Sequence, residues 1–179
     1  MIIFDTETTG LIGNQSLPLA QQPEIIELAM LSLTDDTMEE NGRISFFIKP
    51  RILPLPPKIT DITGITGDML TDAKSFAAML PTIQDFLLGE PMIIAHNCAF
   101  DIGMLTLELR RLERLTKFPW PPKQICTVEE NMDIKGRRMK MTELWEHAFG
   151  TPLAQTHRAM DDVVALAEIC RWMRGTGKL

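Results

Sequence analysis

Met1-Ile-Ile-Phe-Asp5-Thr-Glu7-Thr-Thr-Gly10-Leu11 opens the chain and dictates what must be built around it. Ile2, Ile3 and Phe4 are apolar, so Ile2 to Thr6 is expected as a buried strand that begins at once. Asp5 and Glu7 lie two residues apart. Strand side chains repeat every two residues, so both carboxylates leave one face. Thr8-Thr9-Gly10 ends the strand. Neighbouring acids at the edge of a buried segment repel each other unless a cation sits between them. Hard oxygen ligands of this kind suit Mg²⁺ or Mn²⁺ and not zinc. Alone, the pair is equally an acidic strand end facing water, because so short a pattern recurs by chance.

Two further segments set carboxylates at the edge of apolar runs. In Ile93-Ile-Ala-His96-Asn-Cys-Ala-Phe100-Asp101, a short buried strand gives way to a helix. Asp101 falls in or near its first turn, where the helix dipole favours an anion. Alone it is a simple helix-start charge, and His96 is a loop histidine that bonds backbone. In His157-Arg-Ala-Met-Asp161-Asp162, the second aspartate heads Leu166, Ile169 and Met173, an apolar stripe that faces inward. Asp161 heads the mixed stripe Ala165, Glu168 and Trp172, so the pattern favours Asp162 at the core edge. His157 precedes the helix. Alone it is a surface histidine beside an acidic pair.

Outward from these segments, Glu24 to Leu33 and Ile44 to Ile48 are apolar enough for a second and third strand. Pro50 to Pro57 is expected as an extended loop and Thr60 to Met69 as a turn-rich one. Ser75 to Leu88 is a helix with a break or kink at Pro81. Met92 to Ala95 is a strand, and Phe100 to Leu115 is the best helix. Pro119 to Pro122 is a loop and Gln124 to Thr127 a short strand. Helices follow at Thr142 to Phe149 and Ala159 to Met173. Three strands followed by βα units imply one α/β domain over residues 1–179, with a mixed sheet and helices on both faces.

Composition narrows the function. A net charge of −6 argues against a protein that coats duplexes, which is usually basic. No apolar run approaches the ~20 residues that span a bilayer, so no membrane partner is expected. The N-terminus has no basic region or cleavage site of a signal peptide. Cys98, Cys126 and Cys170 form no CxxC pair, so neither a zinc site nor a disulfide framework is expected, and a reducing cytoplasm is.

Together the segments are far more specific than any one of them. The chain resembles the DEDDh family of 3′–5′ exonucleases, which includes the proofreading subunits of bacterial replicative polymerases. D-x-E-T-T-G-L matches Asp5 to Leu11, H-N-x-x-F-D matches His96 to Asp101, and H-x-A-x-x-D matches His157, Ala159 and Asp162. Leu144 to Gly150 is similar to the family's approach to the third motif. Thr63 in Thr63-Gly-Ile-Thr66 stands where the family often has histidine. The resemblance implies a ribonuclease H-like sheet. It also implies that Asp5, Glu7, Asp101 and Asp162 hold two Mg²⁺ or Mn²⁺ ions ~3.5–4 Å apart. His157 would take the proton of the attacking water, a role that suits an imidazole titrating near ~6.5. A nucleoside monophosphate would leave from the 3′ end of DNA at each turnover.

By the same resemblance Thr6 and Thr8 lie beside the terminal nucleotide, and Gly64-Ile65 wedges or stacks against a base. Phe100 is expected in the core, Trp120 as a packed loop residue and the methionines as core filler. Lys135 to Lys140 is either a phosphate grip or a solvated turn. The expected partners are 3′ ends of single-stranded or frayed DNA. A polymerase partner is compatible with the family, although no recognisable polymerase-binding tail follows the last helix. The rival readings are an enzyme that trims RNA or short oligonucleotides, and a non-catalytic polymerase-associated module. Oligomeric state is open.

Overall fold

The computed structural model describes residues 1–13, 16–154 and 156–179. β1 (Ile2–Thr8) lies at the centre of a five-stranded sheet ordered β3-β2-β1-β4-β5. β2 (Ile25–Leu33) and β3 (Glu40–Phe47) form an antiparallel meander on one side of it. β4 (Met92–Ala95) and β5 (Lys123–Cys126) run parallel to it on the other. The expected mixed sheet is therefore present, with β3 longer at its start than the apolar run Ile44 to Ile48 implied.

Alternation along β1 divides the core into two layers. Ile2 and Phe4 pack with α3 (Phe76–Leu87) and α4 (Cys98–Arg111). Ile3 packs with α7 (Met141–Phe149) and α8 (Ala159–Gly175). Helices thus cover both faces, and β2 is buried along its whole length as such a position requires. The methionines are mostly core, as Met30, Met104, Met139 and Met173 show, although Met69 and Met132 are exposed. Trp120 packs edge-on against Phe118 at 4.6 Å.

Three local expectations need correction. The turn-rich stretch from Thr60 onward folds into two short helices, α1 (Pro57–Thr63) and α2 (Gly67–Thr71). Pro57 starts α1 because a missing N–H costs nothing at a helix's first position. Gly64 ends α1 in a left-handed conformation (φ 69°) and sends its N–H to the Thr60 carbonyl at 2.8 Å. α3 runs unbroken through Pro81, which sacrifices only the bond to the Ala77 carbonyl while Leu80 and Ile83 anchor the helix in the core. α5 (Thr127–Glu130) and α6 (Met132–Lys135) follow β5 where no helix was expected, each too short to show a period.

No helix is long and apolar enough to cross a membrane among the described residues. Leu166 on α8 is fully buried against the Ile3 face of the sheet. Leu166→Ala is expected to cost about 2–5 kcal/mol, read as a lower urea midpoint with an unchanged slope.

Candidate active site

The C-terminal half of β1 extends the same two-sided pattern into polar residues. Asp5 and Glu7 continue the Ile3 face toward α8, and Thr6 continues the Phe4 face toward α4. Asp101 is the fourth residue of α4 and Asp162 the fourth of α8. Each carboxylate thus sits in the first turn of a helix whose N-terminus points at the end of β1, where the dipole favours negative charge. Asp162 is 6% exposed and its neighbour Asp161 faces solvent, as the apolar stripe on α8 required. The structure brings Asp5, Glu7, Asp101, His157 and Asp162 to one cleft of about 620 Å³. Ligand atoms of Glu7, His157 and Asp162 lie within 4.8 Å of one another.

Thr6 is buried and bonded. Its hydroxyl donates to Asp101 Oδ1 at 2.7 Å and its N–H to the same oxygen at 3.1 Å. It therefore orients Asp101 and leaves Oδ2 for a cation. Thr8 donates to the Gly10 carbonyl at 2.8 Å and lines a second, more apolar cleft of about 450 Å³ that shares Thr6, Glu7 and Phe100 with the first. Phe100 is only half-buried and faces both clefts, a departure from the purely core position expected of it. Ile65 is fully buried with Ile26, Leu55 and Leu70, so its side chain is not available to a base. Gly64 serves as the α1 cap and lines neither cleft. Ile59, Ile62 and Lys58 of α1 line the apolar cleft in their place. The helix that carries them was not legible in the proline-rich run, so Ile59 and Ile62 were missed as cleft residues.

His96 also lines the main cleft, but both its nitrogens are committed. Burial pushes its pKa down to about 4, so the ring is neutral. Nε2 donates to the Met139 carbonyl at 3.1 Å, which leaves Nδ1 to accept from the Thr127 hydroxyl at 3.0 Å. It has no free nitrogen for a substrate proton. His157 is exposed, precedes α8 and has a left-handed backbone (φ 52°). In the basic run, Arg137 and Lys135 reach Glu143, and Arg138 reaches Asn97 and Glu129. Lys140 lines the cleft.

The carboxylates strain against each other. Burial pushes the Asp5 carboxyl well above the usual aspartate range, and the charges of Asp101, Glu7, Asp162 and Glu27 push it further. Burial, then Asp162, Glu27 and Asp101, raise Glu7 from the ordinary 4.5 to about 8, while Arg158 pulls it down. Burial raises Asp101 to about 7 against the bonds from Thr6. A cluster of hard oxygens that can hold its charge only with difficulty fits a divalent cation, which would remove the repulsion. Glu27 and Arg158 were not anticipated, although a lone glutamate within a nine-residue buried strand was a signal that it must have a partner.

The chain is similar to known proteins along nearly its whole length. The sequence profile of the RNase T family, described as exonuclease, matches residues 2–170. A PolC-type DNA polymerase III of Clostridium perfringens is 30% identical over 171 residues, which cover 96% of this chain and 11% of that protein. The DNA polymerase III subunit epsilon of Haemophilus influenzae is 28% identical over 180 residues, or 97% of this chain and 67% of that one. The chain spans from 11% to 25% of the length of the first curated relatives. Among solved structures, the nuclease domain of 3′hExo, a DEDDh family member bound to rAMP, superposes with a TM-score of 0.79 at 23% identity. That alignment covers 98% of this chain and 92% of the other.

The raised acids make stability depend on pH in a defined direction. Below about pH 4.5 Glu7 is protonated both folded and unfolded. As pH rises toward about 8 the unfolded chain has released that proton and the fold still holds it, so stability falls through this window. In EDTA the melting temperature is expected to fall from about pH 5 to about pH 8, and saturating Mg²⁺ to remove most of the slope. A flat profile in EDTA would show that the acids are not crowded in solution.

Proposed function

The chain belongs to the DEDDh-type exonucleases of the RNase T family, and on that premise we propose that it is a metal-dependent 3′–5′ exonuclease acting on DNA. The observation that carries this reading is the convergence of all five residues on one cleft at the end of β1. Asp5, Glu7, Asp101 and Asp162 would hold two Mg²⁺ or Mn²⁺ ions. Those ions would activate the attacking water and stabilise the leaving oxygen.

The chain's own groups do the rest. Thr6 fixes Asp101 through two bonds to one oxygen. His157 accepts a proton from the water that attacks phosphorus. The bond from phosphorus to the 3′ oxygen of the preceding nucleotide breaks. A nucleoside 5′-monophosphate leaves, and the released 3′ oxygen takes a proton from solvent, so the shortened strand ends in a 3′-hydroxyl. The apolar cleft lined by Thr8, Ile59, Ile62 and Phe100 suits the terminal base and sugar. Lys140 at the rim is available to a backbone phosphate.

DNA is preferred to RNA because the relatives that cover this chain are named DNA polymerase III, whereas the neighbour bound to rAMP is below 25% identity. Retention of all five residues argues against a non-catalytic module. The three cysteines are free and buried, which suits a reducing cytoplasm.

Two 5′-labelled single strands of one sequence, DNA and RNA, digested with Mg²⁺ beside an Asp162→Ala control, test the reading. DNA is expected to shorten from the 3′ end, and the control to leave it intact. Shortening of RNA alone would transfer the enzyme to RNA trimming, and shortening of neither would overturn the assignment. His157→Ala is expected to lower the rate about 10²–10⁴-fold with the fold retained.

A further inference from the structure

Glu27 is 3% exposed and directly opposite Glu7 in the β1–β2 pairing. Two glutamates facing each other across a buried sheet repel. Three donors answer Glu27. Arg158 Nη2 bonds Oε1 at 2.8 Å, and its Nε bonds Oε2 at 3.2 Å. The Ala159 N–H, the first of α8, bonds Oε2 at 3.1 Å. The Arg158 guanidinium also lies 5.1 Å from the centre of the Phe47 ring on β3. One side chain thus ties the chain entering α8 to two strands.

The residue just before this tie is His157. Its positive φ is unfavourable for a side chain with a β-carbon and persists only where the neighbouring chain is fixed. It is fixed on both sides, because the Thr156 hydroxyl donates to Asp161 Oδ2 at 2.6 Å. Asp162 needs no such help. It rides on a helix anchored by Val163, Leu166 and Ile169 in the core. His157 lies outside the helix and is exposed.

We propose that Glu27 and Arg158 form a clamp that positions His157 over the carboxylate cluster. They are positioning residues that touch no reacting atom, and the proposal rests on the exonuclease reading of the cleft. Bidentate pairing matters here, since two bonds fix orientation where a single one permits rotation. Arg158 also places a cation beside Glu7, whose charge it offsets.

Kinetics and hydrogen exchange test the clamp together. Arg158→Ala and Glu27→Gln are each expected to lower kcat about 10–100-fold with little change in KM. Arg158→Lys, which keeps the charge and one bond, is expected to recover part of the loss. In the His157→Ala background, Arg158→Ala is expected to add less than about twofold, because its effect passes through the missing imidazole. If it slows both backgrounds by the same factor, the clamp does not act through His157 and the proposal falls. Independently of activity, deuterium uptake over residues 156–162 is expected to quicken in Arg158→Ala while β1 and β2 keep their protection. Unchanged uptake would overturn the clamp. A wild-type protein that shortens no strand would overturn the exonuclease reading instead, and the exchange result would then decide the clamp by itself.

Discussion

Four carboxylates crowded at the end of one buried strand are the constraint on which the rest of the molecule depends. Burial makes Asp5, Glu7 and Asp101 costly to ionise where they sit, and the neighbouring carboxylates raise the cost further for Asp5 and Glu7. The fold meets that cost locally and only in part. Asp101 takes two bonds from Thr6, and both helix-borne aspartates lie at helix N-termini. What remains is a deficit of positive charge in a cleft open to solvent. Such a deficit is a poor way to stabilise a protein and a direct way to bind a divalent cation.

The sheet explains why this crowding is possible at all. β1 is central, so both its faces are covered, and alternation sends successive side chains to opposite layers. A single strand therefore delivers Asp5 and Glu7 toward α8 and Thr6 toward α4. The parallel half of the sheet supplies the crossover helix α4 from β4, while the antiparallel half supplies Glu27 opposite Glu7. A wholly parallel or wholly antiparallel sheet would have provided one of these supports and not the other.

What was legible in the sequence follows the same physics. Periods of two and of 3.6 residues are local, so β1, β2 and the inward stripe of α8 could be read directly, and with them the choice of Asp162 over Asp161. The ribonuclease H-like sheet and the set of five residues came from combining motifs far apart in the chain. The failures arose where local signals conflict or vanish. Prolines masked α1 and with it Ile62 at the cleft, while Ile65, which the resemblance set against a base, is buried. Pro81 suggested a break or kink, and α3 continues through it without a break. The pairing of Glu27 with Arg158 joins residues 131 positions apart, a distance at which no periodic signal exists. Only the isolation of a glutamate among Ile25, Ile26, Leu28 and Ala29 hinted at it.

The net charge of −6 and the basic run from Lys135 to Lys140 are reconciled by how that run is spent. Arg137 and Lys135 converge on Glu143, whose carboxyl is held down to about 2, first by the bond from Arg137. Arg138 braces Asn97, the residue that leads into α4 and hence toward Asp101. These cations shape the entry to the site and are not laid out as a track for a long phosphate backbone. Lys140 faces the cleft beside His96 and Thr142. A protein built to coat a duplex needs many phosphate contacts. One that takes a single strand end into an acidic cleft needs few, because cations held by the carboxylates would supply positive charge to the phosphate there. The charge distribution therefore fits the proposed reading of the cleft as a site for strand ends.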